Sequence, residues 1–246
     1  HIHNSFVQTI LEDIVRLGFY ASMLPVHDAV KAIRETIDPA FTGDGWKPYL
    51  PGDKIPVHFS KEKKKKDDLS FLMYPPLDGM IVPRDGKNLS LKYAQLGDKI
   101  YAPIYIELLP KDIRPFYDLF RRLLGGDLPW RIAFYVSPGG MEVSKSKNLL
   151  AQFLTFSSHY NKLIVEAHRM LKELDQRSDD PIIKFTVVLT TWADAGDEPA
   201  LQARVAKLSK TVQSWGGCEV RQVSGDPFEL MMSSALAMDY NTNCTT

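Results

Sequence analysis

Residues 181–226 constrain the fold most, because they have the pattern of a strand, an amphipathic helix and a second strand. Positions 182–192 are rich in β-branched and aromatic residues, and apolar and polar side chains alternate there. Asp197 and Pro199 are typical of a helix start, and Gly216 and Gly217 of a helix end. Between them, apolar residues recur at spacings of three and four: Leu201, Val205, Leu208, Val212 and Trp215. The stretch is therefore predicted to be a β-α-β unit.

A weaker copy of this pattern precedes it. Residues 104–109 and 130–136 have strand composition, and the amphipathic segment 113–124 between them ends at Gly125 and Gly126. A long amphipathic helix predicted over residues 146–174 joins the two units. The predicted fold is therefore α+β, with one sheet covered by helices in a ferredoxin-like or related split topology.

The flanking segments complete the predicted organisation. Helices are expected at 6–17 and 27–37, and the apolar face of the first either packs on the sheet or binds a partner. Turn signals at Asp78-Gly79, Asp85-Gly86 and Gly97-Asp98 predict antiparallel hairpins. The predicted domains are 1–60, with helices and a Pro/Gly/aromatic segment, 61–226, the α+β core, and 227–246, the start of a linker.

Bulk composition limits the possible partners. Lys and Arg number 30 and Asp and Glu also number 30, so no net charge attracts the chain to nucleic acid or an anionic membrane. Cys218 and Cys244 are too few for a disulfide scaffold and favour a reducing compartment. Charged residues at 12, 13 and 16 interrupt the apolar N-terminal stretch, which excludes a membrane span there.

One turn resembles a nucleotide-binding loop. From Gly139 the sequence is G-x-x-x-x-S-K-S, close to the P-loop pattern G-x-x-x-x-G-K-[ST]. Gly139, Gly140, Lys145 and Ser146 would then bind phosphate. Ser144, however, replaces the glycine whose backbone N–H groups face phosphate. A stand-alone nucleotide-binding enzyme is thus one alternative, and an ordinary strand-to-helix turn capped by a serine is the other.

The remaining candidates have simpler explanations. The histidines lack the spacing of metal ligands, so no metal site is predicted. The acidic residues Asp194, Asp197 and Glu198 are explained by helix capping and solvation, so no catalytic residue is assigned. Lysines at 61 and 63–66 form the one dense basic run, which leaves a DNA-binding module as a further alternative to a solvated loop.

Several stretches resemble the N-terminal domain of type IV secretion and conjugation ATPases, particularly the IcmB/DotO branch, with TraC-like proteins more distant. They are IDPAFTGDGWKPYLPGD at 37–53, LPKDIRPFYDLFRRLLGG at 109–126, KFTVVLTTWA at 184–193 and QSWGGCEVRQVSGDP at 213–227. These motifs are structural rather than catalytic, and together the likeness covers most of the chain.

The resemblance implies a non-catalytic docking and assembly domain. In that family the ATPase domain, with its Walker motifs, lies C-terminal to this region, so ATP and Mg would bind beyond Thr246 and no cofactor is expected in this chain. The parent would work as a hexamer at the cytoplasmic face of the bacterial inner membrane. It would energise substrate transfer, while this domain binds other secretion components or a partner ATPase.

Overall fold

A computed structural model shows a chain of two compact units, His1–Pro83 and Arg84–Thr246. The residues it describes are 2–53, 76–82, 85–110, 112, 114–138, 144–145, 148–149, 159–177 and 183–241. The division between the units lies well after the predicted domain boundary at residues 60 and 61. The lysine run at 61–66 falls outside the described residues, so its role stays a prediction.

The first unit contains three short helices in its described part: α1 (Ile2–Arg16), α2 (Val26–Ile37) and α3 (Leu77–Ile81). The two predicted N-terminal helices are therefore confirmed. Arg34 on α2 donates a hydrogen bond to the Met80 carbonyl of α3 at 3.0 Å. Val30, Ile37 and Ile81 are buried and supply the core of this unit.

Helix α3 corrects the hairpin predicted at Asp78-Gly79. Pro76 lies directly before the helix and Asp78 in its first turn, where an acidic side chain interacts favourably with the positive helix end. Ile81 is buried at the other end of the helix. An Asp-Gly pair is a turn signal only when extended segments flank it, and here the flanking residues form a single helical turn.

The second unit is an α+β fold with an open sheet, as predicted. Its described helices are α4 (Phe116–Leu124), α5 (His159–Arg177), α6 (Glu198–Gln213) and α7 (Pro227–Ser233). Its strands are β1 (Gly86–Asn88), β2 (Ala94–Leu96), β3 (Lys99–Leu108), β4 (Arg131–Ser137), β5 (Lys184–Asp194) and β6 (Glu219–Gln222).

All strand pairs in the described sheet are antiparallel, in the order β1-β2-β3-β5-β4, and β6 also pairs with β3. Strand β2 pairs with residues 99–101 of β3 and β6 with residues 104–108. Both therefore lie along the edge of β3 that faces away from β5. The predicted turn at Gly97-Asp98 joins β2 to β3, and Gly97 has a φ of 58° that favours glycine.

Strand β3 begins at Lys99, five residues before the predicted start at residue 104, and it includes Pro103. Pro103 pairs with Thr190 of β5 on one side. On its other side it lies between the stretches that pair with β2 and β6. Proline lacks an N–H and is tolerated where the ladder requires no donor, and the gap between β2 and β6 provides such a position.

One face of the sheet is covered by α4 and α6. The four apolar residues predicted on α6 are buried, and so is Trp215 just after it. Asp197 caps α6 by accepting a hydrogen bond from the Ala200 N–H at 3.0 Å. These side chains pack with Leu119 and Leu123 of α4 and with alternate residues of the central strands: Ile100, Ala102, Ile104, Ile106, Val187, Leu189 and Ala193.

The end of α6 explains the Gly-Gly pair. Gly216 and Gly217 both have a φ of 74°, a conformation that favours glycine. A Cβ on Gly216 would lie 2.8 Å from Cβ of Pro110, so the chain could not pass there with a larger residue. This turn leads directly into β6, and the predicted strand-helix-strand stretch is therefore confirmed.

The opposite face is covered by α7, where the sequence predicted the start of a linker. Leu230 and Met231 on α7 are fully buried, and Leu230 packs with Val188 and Val223. Asp226 caps the helix by accepting from the Glu229 N–H at 3.0 Å, and Pro227 occupies its first turn. An Asp-Pro pair is a helix-start signal as well as a turn signal, and the buried residues after it favour the helix.

The structure predicts that α7 belongs to the folded unit rather than to a linker. Leu230→Ala should lower the free energy of unfolding of the sheet unit by about 2–5 kcal/mol, because it leaves a cavity under the helix. Leu236→Ala, at a half-exposed position just after the helix, is the matched control and should change it by about 0.5 kcal/mol or less. Urea unfolding checks this, and equal effects of the two changes would contradict it.

Candidate functional site

The predicted phosphate-binding turn lies largely outside the described residues. Gly139, Gly140 and Ser146 are not described, and only Lys145 of the four residues is, as an exposed residue with helical backbone. Ser144, the position where the P-loop pattern has glycine, is helical as well. The described residues therefore do not test whether the four predicted phosphate ligands come together, and nucleotide binding there stays a prediction.

Among the residues that the structure describes near this turn, Ser144 pairs with a histidine, a combination found in nucleophilic sites. Its Oγ lies 2.8 Å from Nδ1 of His168 on α5. A hydroxyl beside an imidazole supplies two groups of a nucleophilic site, but such a site also requires an acid that orients the imidazole. No carboxylate hydrogen-bonds to His168 within the described part of the chain. The hydrogen bond connects Ser144 to α5.

The described ranges contain no group of three or more side chains that could hold a metal ion. None of the helices described combines the length and the apolar character that crossing a bilayer requires. Asp194 and Asp197 have structural partners, since Asp194 pairs with Lys99 and Asp197 caps α6. The pairing with Lys99 lowers the pKa of Asp194.

An ordered cluster in the first unit holds the segment after α2. His27 Nε2 lies 2.7 Å from Oδ2 of Asp53, which also accepts a hydrogen bond from the Leu50 N–H at 2.9 Å. The hydrogen bonds from His27 and Leu50 lower the pKa of Asp53 below its usual 3.8. The carboxylate thus connects the turn at 50–53 to the start of α2.

Arg34 organises the aromatic side chains of the same segment. Its guanidinium lies 4.2 Å from the ring centroid of Phe41 and 4.7 Å from that of Trp46. The two rings meet edge to face, with their centroids 5.4 Å apart. Such cation–π contacts contribute on the order of 0.5–2 kcal/mol each. These contacts hold the two rings of the loop after α2 against the Arg34 side chain.

Helix α1 leaves its apolar face exposed. Phe6 is 63% exposed and Ile10 is 41% exposed. The two residues are one helical turn apart, and Ile14 continues the same face a turn later. The polar face carries Glu12, Asp13 and Arg16, which sum to a net charge of −1. A helix with one apolar face and no excess of basic residues suits a protein groove better than an anionic lipid surface.

A cluster of half-exposed aromatic residues lies between α4 and the end of the sheet. We call Phe116, Phe120, Phe134 and Phe185 the aromatic surface. Phe116 contacts Phe134 edge to face with centroids 5.3 Å apart, and Phe134 stacks on Phe185 at 6.0 Å. Arg121 and Arg122 on α4 are exposed nearby in sequence. Aromatic residues and arginine are the types that protein interfaces favour.

A polar layer lies under α7, on the other face of the sheet. Arg131 donates to the Met231 carbonyl at 2.8 Å and to Ser234 Oγ at 2.9 Å. Burial lowers the pKa of Arg131 to about 10, so it remains a cation at neutral pH. The Tyr135 hydroxyl lies within hydrogen-bonding distance of the carbonyl oxygens of Ser233 and Met238, and it donates its single proton to one of them. A cation at the C-terminal end of a helix interacts favourably with the helix dipole, so Arg131 holds α7 in place.

The sequence pattern did not identify the aromatic surface or the role of Arg131. Alternation along residues 130–136 predicts a strand, but it does not show that this strand lies at the end of the sheet. In the sequence, Arg131 has the pattern of an exposed charged residue at the start of a strand. One feature of the sequence could have pointed to the role of Arg131: it is the only charged residue in the seven residues of β4.

Comparison with known proteins yields no relative: no protein-family model, no curated protein and no solved structure matches this chain.

The lowered pKa of Asp53 predicts a pH dependence for the first unit. A carboxyl whose pKa is lower in the folded chain stabilises the fold above its unfolded pKa, and this contribution is lost as the pH falls through the folded pKa. Asp53→Asn should therefore destabilise the unit at neutral pH, and the difference from wild type should shrink as the pH falls below 3.8 toward the lower folded pKa. Fluorine NMR of fluorotryptophan at Trp46, followed through urea unfolding, checks this.

Asp44→Asn is the matched control, because Asp44 is an exposed carboxylate in the same segment. It should leave the unfolding transition unchanged at every pH. A pH-independent effect of Asp53→Asn would contradict the assignment, as would an equal effect of Asp44→Asn.

Proposed function

We propose that this chain is a non-catalytic docking and assembly domain of a bacterial type IV secretion ATPase of the IcmB/DotO type. The observation that carries the proposal is the exposed apolar face of α1, which is built to enter a groove on another protein. The choice of a type IV secretion ATPase rests on sequence resemblance, which is carried by the segments at 37–53, 109–126, 184–193 and 213–227.

The order of the central strands supports the finer fold assignment, a ferredoxin-like split topology. Strands β3, β4, β5 and β6 follow one another along the chain, with α4 between the first two and α6 between the last two. In the sheet their order is β6-β3-β5-β4, so each β-α-β unit has a strand of the other between its own two. We infer that this interleaving provides a rigid base for docking.

The proposal assigns the chemistry to another part of the parent protein. ATP and Mg would bind an ATPase domain that lies C-terminal to this one. The parent would assemble as a hexamer at the cytoplasmic face of the inner membrane, where this domain contacts other secretion components. A parent gene without a Walker A motif after this region would rule out the family.

Substitutions on α1 test the docking role in cells that carry the secretion apparatus. In the parent protein, Phe6→Asp and Ile10→Asp should reduce co-purification of inner-membrane secretion components about tenfold or more, because a charge would enter the groove. Transfer of the secreted substrate should fall in parallel. Quantitative mass spectrometry of the purified complex and a transfer assay measure the two effects.

Gln8→Asp is the matched control, since it places the same side chain on the polar face of the same helix. It should preserve both co-purification and transfer. Wild-type values for Ile10→Asp would contradict the docking role. A photo-crosslinker at Ile10 that reacts only with lipid would contradict the choice of a protein groove.

A further inference from the structure

The two edges of the described sheet differ in how well they are protected against pairing with another strand. On one side, β1 has three residues, including Lys87, and β6 has four, including Glu219 and Arg221. Short strands and charged side chains are the usual protection of a sheet edge. On the other side lies β4, with seven residues and no proline. It has neither of these protections.

The single charge of β4 does not protect its edge. Arg131 points to the face under α7, where its guanidinium is bonded to the Met231 carbonyl and Ser234 Oγ. The next six residues are Ile132, Ala133, Phe134, Tyr135, Val136 and Ser137, all uncharged. A long, uncharged edge strand is a template for pairing with another chain.

Apolar side chains line the same edge. Phe134 is 38% exposed and Val136 is 62% exposed, and both lie on the face of the sheet that carries the aromatic surface. Phe116 of α4 contacts Phe134 edge to face and is itself exposed. A strand added to β4 would therefore gain backbone hydrogen bonds and would also cover these side chains.

We propose that β4 pairs with β4 of a second copy of this chain, antiparallel and across a two-fold axis at Phe134. In this register Phe134 lies opposite its own counterpart, and Ile132 lies opposite Val136 of the other copy. Arg131 lies opposite Ser137, so no like charges meet. The strand is thus its own complement, which favours a second copy over an unrelated peptide.

The arrangement closes on itself. An antiparallel strand pair about a two-fold axis uses the same residues on both copies and leaves no further β4 edge open. The sheets of the two copies become continuous, and the aromatic surfaces meet on one side of the junction. This pairing rests on the edge geometry and does not depend on the proposed role in secretion.

Sedimentation velocity of the 246-residue chain tests the pairing. Between about 1 and about 200 µM, the range in which small interfaces associate, the mass should rise from 27.9 kDa toward twice that value. Val136→Lys should weaken the association at least tenfold, because it places a charge against an apolar partner. Leu91→Lys is the control: Leu91 is 66% exposed, between β1 and β2, and should have no effect.

A wild-type chain that stays monomeric throughout this range would overturn the proposal, and so would a Val136→Lys chain that associates like wild type. Because Val136 is largely exposed, the substitution leaves the core intact, and circular dichroism confirms that each variant is folded.

Cysteine crosslinking tests the register separately. In a Cys244→Ser background, Phe134→Cys should form a disulfide-linked dimer, because residues paired at the axis have Cα atoms about 4.5–5.5 Å apart. Val136→Cys should not, because its two copies would lie about 13 Å apart along the strands. Cys218 is buried and does not interfere. Equal crosslinking of both variants, or crosslinking of Val136→Cys alone, would overturn the register.

Discussion

The pairing of β3 with β5 is the interaction on which the rest of the second unit depends. Seven residue pairs join these strands, and their apolar side chains alternate between two covered faces. Helices α4 and α6 cover one face, and α7 covers the other. Fully burying a Leu or Val side chain contributes about 1.5–3 kcal/mol to stability. A central strand that is covered on both faces obtains this contribution from the side chains on each face. This explains why Val187, Val188 and Leu189 are all inaccessible although they are consecutive.

The covering of both faces determines where the unit can meet a partner. With the faces of β3 and β5 occupied, the accessible backbone lies at the edges of the sheet, and among the described edge strands only β4 is long and free of charged residues beyond Arg131. Arg131 contributes both to the covering of the sheet and to the uncharged edge. Its hydrogen bonds hold α7 in place, and they also keep its charge away from the edge of β4. In the first unit, the exposed face of α1 offers a separate surface. Both candidate surfaces are thus exposed and partly apolar, as the proposed docking role requires.

Much of this fold could be predicted from local sequence signals. Helix α6 has its cap at Asp197, its buried face and its glycine end where the pattern indicates, because each of these depends on neighbouring residues alone. The predictions were wrong at positions where tertiary contacts, rather than neighbouring residues, determine the secondary structure. Pro103 lies in a central strand because β2 and β6 leave a gap beside it, and Asp226-Pro227 starts a helix because Leu230 has a core to enter. The aromatic surface and the open edge of β4 could not be predicted for the same reason, since a strand pattern does not reveal which strand lies at the edge, whereas the apolar face of α1 was visible in the sequence.

Hydrogen exchange, followed by mass spectrometry in dilute protein, tests most directly the claim that two-sided burial of β3 and β5 organises the unit. Amides of β5 from Val188 to Thr190 should exchange only through global unfolding, since these residues pair with both β3 and β4 and the sheet has helices on both faces. About half of the amides of β4 should exchange orders of magnitude faster, because one side of that strand is open to water in the monomer. Equal protection of β4 and β5 under these conditions would contradict the account. So would fast exchange in β5.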